Sequence, residues 1–290
     1  MRVLIFGGDG QVGREFRRLD GHSGHKVVAV TRQQADITRP AEIAAAVAES
    51  SADVIVNAAA YTAVDRAETE SEQAFSVNRD GARNVAGVCA ERSLPIVQIS
   101  TDYVFDGSKT GAYVEGDPVA PLGVYGASKE AGERAVRDLQ ERHVILRTSW
   151  VFGAHGHNFV KTMLRLAGER EELAVVSDQV GCPTPAADLA AAILSLLPLL
   201  GEGRWGTYHY CGAGRTSWFG FAREIFVLRS RITGVPAPRL RAVTAADYPT
   251  PASRPANSEL NCSRFAAAFG FAPRPWSQGL AEVLDELLTV

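Results

Sequence analysis

No apolar run in this 290-residue chain approaches the ~18 residues that a membrane span needs. Neither sign of charge is in surplus: 33 acids face 30 bases, a net charge of −3, with the two interspersed. That balance argues against a nucleic-acid surface and against a polybasic membrane anchor. The four cysteines, Cys89, Cys182, Cys211 and Cys262, are far apart in sequence. There is no C-x-x-C and no Cys/His ligand spacing, so reduced thiols in a cytoplasmic protein are expected, and no metal cluster. The chain runs straight into a strand pattern without a leader-like segment, and no repeat or low-complexity tail is visible. What is present is an ordinary globular composition, 46% hydrophobic and 22% charged. The length suits one large domain or two modest ones, with a core of adequate size.

Strand and helix patterns alternate through the first half. Strands are expected at 2–6, 26–31, 53–57, 95–99 and 143–147. Helices are expected from 11 to about 19, at 40–49, at about 71–92 and at 123–140. Five β-α units in succession argue for a Rossmann-type doubly wound parallel sheet. The second half alternates less clearly. Helices are expected at 158–170, 185–199, 217–230 and about 277–288, and strands at 173–176 and 206–210. The proline-bearing stretch 233–258 reads mostly as loop. This divides the chain into a dinucleotide-binding domain, 1–150, and a smaller α+β part, 151–290, mainly for substrate, with pieces returning to the first.

The chemistry begins at the first β-α junction. Gly7-Gly8-Asp9-Gly10-Gln11-Val12-Gly13 lies between a strand and a helix. Gly8, Gly10 and Gly13 fit G-x-G-x-x-G; Gly7, Gly10 and Gly13 fit the looser G-x-x-G-x-x-G. Such a loop lets backbone approach a pyrophosphate, and the helix N-terminus adds N–H groups and a favourable dipole. The second strand ends in Thr31-Arg32-Gln33, where an NAD-specific site wants an acid. Arg32 could accept a 2′-phosphate, so NADPH is expected, with NADH also usable. Small residues at 58–60 end the third strand and allow a flat cofactor to lie close. Asn78 is a polar residue on an otherwise half-apolar helix. Thr101 ends the fourth strand, beyond which ligands of open α/β sheets sit. Tyr125 and Lys129 stand four apart on the following helix, one turn from each other on one face. On its own Tyr-x-x-x-Lys occurs often by chance. Here a phosphate loop, a strand-end hydroxyl and the Tyr/Lys pair converge on one cleft. An ammonium beside a phenol favours the phenolate and should lower the tyrosine pKa from ~10.

The motifs together resemble the extended short-chain dehydrogenase/reductases that act on nucleotide sugars, and among them the dTDP-4-dehydrorhamnose reductase family. The resemblance rests on GGDGQVG at 7–13, NAAAYTAVDRAE at 57–68, ISTDYVFDG at 99–107 and YGASKEAGE at 125–133. It continues through RTSWVF at 147–152, Asn158-Phe159, DQVGCPT at 178–184 and RPANSEL at 254–260. The glycine loop and Tyr-x-x-x-Lys mark only the superfamily; the later blocks are more specific. The resemblance implies hydride transfer from a nicotinamide to the C4 ketone of dTDP-4-dehydro-6-deoxy-L-mannose. Tyr125 would be the proton donor, Lys129 its partner and ribose ligand, and Thr101 a hydrogen-bond donor to the reacting oxygen. Gly10, Gln11 and Val12 would hold the pyrophosphate, Asp36 and Ile37 would lie near the adenine, and Ala60, Tyr61 and Thr62 would line the cofactor. Val64, Asp102, Tyr103 and Trp150 would contact the substrate. The family also implies a homodimer, with Mg²⁺ held by interface acids. Glu15, Glu286 and Asp188 stand at the matching places, where the residues by themselves read as helix charges.

In the second half Arg254 is the candidate cation for a diphosphate, because a guanidinium binds phosphate in a bidentate way. Gln179 and Thr184 are further candidates for the substrate. His155 and His157 read as loop residues, and Trp205 and Trp218 as core or interface. Two other readings stay open on the sequence: another nucleotide-sugar reductase or epimerase, and a cofactor-binding regulatory subunit.

Overall fold

A computed structural model describes residues 1–21, 24–201 and 203–289. In the first half β1 (Arg2–Phe6) leads to α1 (Gln11–Arg18), β2 (Lys26–Val30), α2 (Pro40–Ser50) and β3 (Val54–Asn57). Then come α3 (Val64–Ala67), α4 (Ser71–Phe75), a π-helical turn (Ser76–Gly81), α5 (Ala82–Glu91), β4 (Ile96–Thr101), α6 (Val124–Leu139) and β5 (His143–Thr148). The second half adds β6 (Val151–Phe152), α7 (Phe159–Glu169), β7 (Glu172–Val176), β8 (Val180–Gly181), β9 (Thr184–Pro185) and α8 (Ala186–Leu196). It ends with β10 (Gly206–His209), β11 (Thr216–Ser217), α9 (Trp218–Thr233), β12 (Arg239–Val243), α10 (Ser263–Phe269) and α11 (Trp276–Leu288).

The main sheet is six-stranded and parallel throughout, in the order β10-β5-β4-β3-β1-β2. Strand period explains why both faces are covered. In β1, Val3 and Ile5 join one core with Phe16 of α1, Leu189 and Ile193 of α8, and Phe265 of α10. Leu4 and Phe6 join the other, with Ile43 and Val47 of α2, Val85 of α5 and Val136 of α6. The sheet is therefore doubly wound, as the alternation predicts. Its sixth strand, β10, comes from the second half of the chain and pairs with β5. A third cluster, with Phe152, Val160, Leu173, Phe221, Phe226 and Leu280, packs α7, α9 and α11 beside the sheet. Small two-stranded sheets join β12 to β7, β11 to β8 and β6 to β9.

Three stretches differ from their sequence pattern. The supposed loop at 233–258 contains β12, which pairs parallel with β7 over its whole length. Only Val243 of β12 is buried, so the strand has no clear hydrophobic alternation to betray it. Helix α10, with Phe265 and Phe269 buried, was also not evident. The long helix expected at 71–92 is interrupted by the π-helical turn that carries Asn78. Its surroundings are tight: a Cβ on Gly132 of α6 would sit 2.1 Å from the Asn78 carbonyl oxygen. Among the described residues no helix is long and apolar enough to cross a membrane.

Candidate active site

Chain order reverses between β1 and β3, whose neighbours lead in opposite directions across the sheet. In an open α/β sheet that is where ligands bind, beyond the carboxyl ends of the strands. Two cavities lie there, of ≈ 630 Å³ and ≈ 250 Å³. Gly10, Ala58 and Ala60 line both, so they form one trough across the strand ends.

The smaller cavity is bounded by Gly7, Arg32, Asp36, Ile37 and Tyr61. Of the two glycine frames, Gly7, Gly10 and Gly13 therefore face the trough. Gly8 instead donates its N–H to Val30 at 2.8 Å and joins the loop to β2. Gly13 is required by a close approach: a Cβ there would lie 2.2 Å from the Gly7 carbonyl oxygen. Arg32 is exposed and its Nε donates to Asp36 at 3.0 Å. Burial works to raise the Asp36 carboxyl, but hydrogen bonds from Thr38 and Arg32 outweigh it and hold it below the usual range. The backbone of Tyr61 is clasped by Asn78, whose Oδ1 accepts from Tyr61 N at 2.9 Å and whose Nδ2 donates to Tyr61 O at 3.0 Å. Asn78 also donates to Ser128 Oγ on α6 at 2.9 Å. The π-helical turn thus ties the Tyr61 wall to the helix that carries Tyr125. A buried amide on a half-apolar helix was the only sequence signal of this clasp.

The start of α1 fits a pyrophosphate. Its N-cap is Gly10, no side chain caps the helix, and its first turn has no acid. Gln11, Val12 and Gly13 line the larger cavity there, with N–H groups that have no partner inside the helix. The three alanines after β3 supply a flat wall beside them. These residues fit a dinucleotide.

Opposite stand Thr101, Asp102 and Tyr103 from the end of β4, and Tyr125 and Lys129 from α6. Thr101 donates to Asp102 Oδ1 at 3.0 Å and accepts from Tyr103 N at 3.2 Å, which fixes the turn. Tyr103 and Tyr125 meet edge to face, centroids 5.8 Å apart. Lys129 Nζ donates to the Ile99 carbonyl at 2.7 Å. Burial lowers the Lys129 ammonium to about 8, and Glu133 works against that. Burial also pushes the Tyr125 phenol up to about 12, although contact with the Thr101 hydroxyl pulls it down. The expected lowering of Tyr125 by Lys129 is not found: desolvation of a phenolate in the cleft dominates, Asp102 adds to it, and the opposing pull comes from Thr101. A tyrosine in this state is protonated at neutral pH. Burial lifts the Asp102 carboxyl to about 7, against the pull of Ser258 and Thr101.

The remaining wall comes from the second half. Trp150 sits at φ +46° and stacks on Trp218, rings 3.5 Å apart and 6° from parallel. The indole demands Gly181 beneath it, where a Cβ would lie 2.5 Å from the ring. Thr62, Val64 and Arg254 complete the rim. Arg254 makes a bidentate pair with Asp65, at 3.0 and 2.8 Å.

Two expected substrate residues fall elsewhere. Thr184 is fully buried; its hydroxyl donates to Cys182 O and accepts from Gly212 N, both at 3.3 Å, so it joins chain segments and does not face the cleft. Gln179 lines neither cavity and lies just before β8. Conversely Thr148, Ser149, His157, Asn158 and Trp218 line the larger cavity. Of these Thr148, Ser149 and Asn158 stood in family motifs, but none was singled out as a site residue. His157 had no sequence partner to mark it, and an isolated Trp218 reads as core.

The acids considered for Mg²⁺ are engaged with arginines. Arg18 bridges Glu15 and Glu286 at 3.3 and 3.0 Å, and Arg274 pairs with Asp188 at 2.7 Å. Among the described residues no group of three or more His, Cys, Asp or Glu could hold a metal ion. Within a single chain these acids do not come together as a cation site.

A parallel doubly wound sheet, a glycine loop at its switch point and a Thr/Tyr/Lys constellation beside it define an NAD(P)-binding short-chain dehydrogenase/reductase. The family model described as "RmlD substrate binding domain" matches residues 1–289. The dTDP-4-dehydrorhamnose reductase of Sinorhizobium fredii is 40% identical over 292 residues, spanning 99% of this chain and 98% of the relative. The solved dTDP-4-dehydrorhamnose reductase of Clostridium acetobutylicum superposes with a TM-score of 0.91 at 38% identity, covering 99% of each chain. That of Bacillus anthracis, in complex with NADP, superposes with a TM-score of 0.89 at 38% identity, covering 98% of this chain and 99% of the other. The chain belongs to the dTDP-4-dehydrorhamnose reductase family.

Proposed function

We propose that this chain reduces dTDP-4-dehydro-6-deoxy-L-mannose to dTDP-L-rhamnose, with Tyr125, Lys129 and Thr101 as its catalytic residues. The observation that carries the reading is their convergence on one wall of the trough, facing the open N-terminus of α1 and flanked by Trp150 and Arg254. Bound NAD(P)H supplies the hydride that reduces the C4 ketone. Tyr125, protonated at neutral pH, gives its phenolic proton to the resulting oxygen. Thr101 holds that oxygen with its hydroxyl, a fixed donor aimed where charge develops. Lys129 places a positive charge in a desolvated pocket and binds the cofactor ribose. Tyr103 and Trp150 bound the sugar, with Asp102 and Val64 beside them, and Arg254 takes the diphosphate.

Gly10, Gln11, Val12 and Gly13 would hold the cofactor's pyrophosphate, Ala60, Tyr61 and Thr62 would line its bed, and Gly7, Asp36 and Ile37 would bound its adenine end. We assign its binding to residues 1–150 and the sugar nucleotide mainly to 151–290, with β10 and α8 returning to the sheet. NADPH is preferred, with Arg32 reaching the 2′-phosphate; the NADP complex of the Bacillus anthracis relative supports this. Arg32→Ala is expected to weaken NADPH about tenfold more than NADH, since a charged hydrogen bond is worth ~1.5–3 kcal/mol. Equal effects on the two cofactors would dismiss the assignment. A cytoplasmic homodimer completes the proposal, and a light-scattering mass of one chain would refute the dimer.

The direct test is oxidation of NADPH and NADH, followed at the nicotinamide absorbance, with dTDP-4-dehydro-L-rhamnose generated in place. Substrate-dependent oxidation yielding dTDP-L-rhamnose is expected. A protein that binds NADPH yet oxidises none would overturn the substrate assignment.

A further inference from the structure

Away from the trough, three of the four thiols meet. Cys211 leaves the end of β10, Cys262 precedes α10, and their sulfurs are 3.6 Å apart. The Cys182 thiol also contacts Cys211. All three belong to a small core with Val104, Phe105, Tyr113 and Leu260, behind the turn that carries Tyr103. Cys182 and Cys211 are buried, whereas Cys262 is partly exposed. The hydrogen bond with Cys211 draws the Cys262 thiol below its ordinary range, while hydrogen bonds with Cys182 and Cys262 push the Cys211 thiol well above its own. The proposed reduction uses none of these groups.

We propose that Cys211 and Cys262 are a peroxide-oxidisable dithiol, with Cys262 as the sulfur that reacts first. Nothing in this chain's reductase chemistry requires such a site. The Cys262 thiolate attacks one oxygen of a hydroperoxide. An S–O bond forms, the O–O bond breaks, and the departing hydroxide takes up a proton and leaves as water. Sulfur is oxidised by two electrons and the peroxide is reduced. The Cys211 sulfur then attacks the Cys262 sulfur of this sulfenic acid. An S–S bond forms, the S–O bond breaks, and the Cys211 proton leaves with the hydroxide as a second water. With hydrogen peroxide the balance is two thiols and one peroxide giving one disulfide and two waters. The sulfurs need only close from 3.6 Å to about 2.05 Å. Cys262 is the more accessible of the two, partly exposed where Cys211 is buried. Once formed, the bond would tie the exit of β10 to the segment leading from Arg254.

The experiment uses the full reduced chain, treated with stoichiometric hydrogen peroxide and then alkylated. Before alkylation the intact mass is expected to fall by about 2 Da, and after it a non-reduced peptide joining Cys211 to Cys262 is expected, both reversed by dithiothreitol. Cys211→Ser should leave a sulfenic acid on Cys262 that dimedone traps, and Cys262→Ser should abolish the mass loss. Peptide mapping of the unaltered chain decides even if a variant fails to fold. A cross-link joining Cys182 to Cys211 would overturn the pairing. Sulfinic acid on Cys262 without any cross-link would overturn the dithiol.

Discussion

At the scale of single residues, the proposed catalytic wall depends on how burial sets protonation. Tyr125 is held protonated, with its phenol pushed up to about 12. That suits a group that must donate a proton as an alkoxide forms. Tyr125→Phe is expected to cut kcat by ~10²–10⁴, the usual worth of general acid catalysis, with NADPH affinity little changed. Near-normal turnover in this variant would remove Tyr125 from the chemistry. Lys129 gives the complementary prediction. Its ammonium is lowered to about 8, so the charge is present below that pH and lost as the pH rises through it. The rate constant kcat/KM is therefore expected to fall on the alkaline side with an apparent pKa near 8, while Tyr125 remains protonated. A profile flat to pH 10 would show that the Lys129 charge does not matter to the reaction. The expectation from spacing alone, a lowered tyrosine, failed because Tyr-x-x-x-Lys reports proximity along a helix but not how far either group is removed from water.

At the scale of elements, α6 must be fixed to the sheet for Tyr125 and Lys129 to meet Thr101. One turn beyond Lys129, Glu133 does this from inside the protein. It accepts from Arg147 of β5 at 2.9 and 2.7 Å and from Ser100 of β4 at 2.6 Å. Burial works against its charge, yet the Arg147 hydrogen bonds prevail and hold its carboxyl below the usual range. The stabilisation is therefore complete above the unfolded carboxyl pKa of ~4.3 and is lost as the pH falls through the lower folded value. Glu133→Gln leaves the Arg147 guanidinium buried without a counter-charge. It is expected to destabilise the fold by about 3 kcal/mol, the lower end for breaking one side of a buried pair. Denaturant unfolding at pH 7 measures this, and a loss below about 0.5 kcal/mol, typical of exposed pairs, would refute the role. Both residues stand in family motifs, at 125–133 and 147–152, but nothing local marks them as a pair. Glu133 looks like one more acid on a charged helix, and only the register of α6 against β4 and β5 buries it.

At the scale of the whole molecule, the two halves of the chain build one sheet and one cleft. What was legible in the sequence was local. The run RVLIF, the glycine loop and the five β-α units have periods and junctions that local chemistry dictates. So the sheet, the trough, Thr101, Tyr125 and Lys129 could be read directly. The rest depends on long-range placement. Trp218 reaches the cleft only because it stacks on Trp150, 68 positions earlier by number. Thr184 left the candidate site because β9 pairs with β6 and turns its side chain inward. Similarly, Asn158 donates to Gln11 at 2.9 Å, so the start of α7 touches the start of α1 beside the glycine loop. The interdependence makes a stability prediction. A fragment of residues 1–150 would lack β10 beside β5 and would lose α8 and α10 from the α1 face. Val3, Ile5, Phe16, Val144 and Leu146 would then lose Leu189, Ile193 and Phe265 as partners. Each fully exposed side chain of this size forfeits about 1.5–3 kcal/mol of burial, and the sum for several exceeds the whole stability of an ordinary domain. The fragment is therefore expected to lack a cooperative thermal transition by circular dichroism, whereas the full chain unfolds cooperatively. A fragment that melts cooperatively and binds NADPH would mean instead that the first half is a self-sufficient folding unit to which β10, α8 and α10 are merely added.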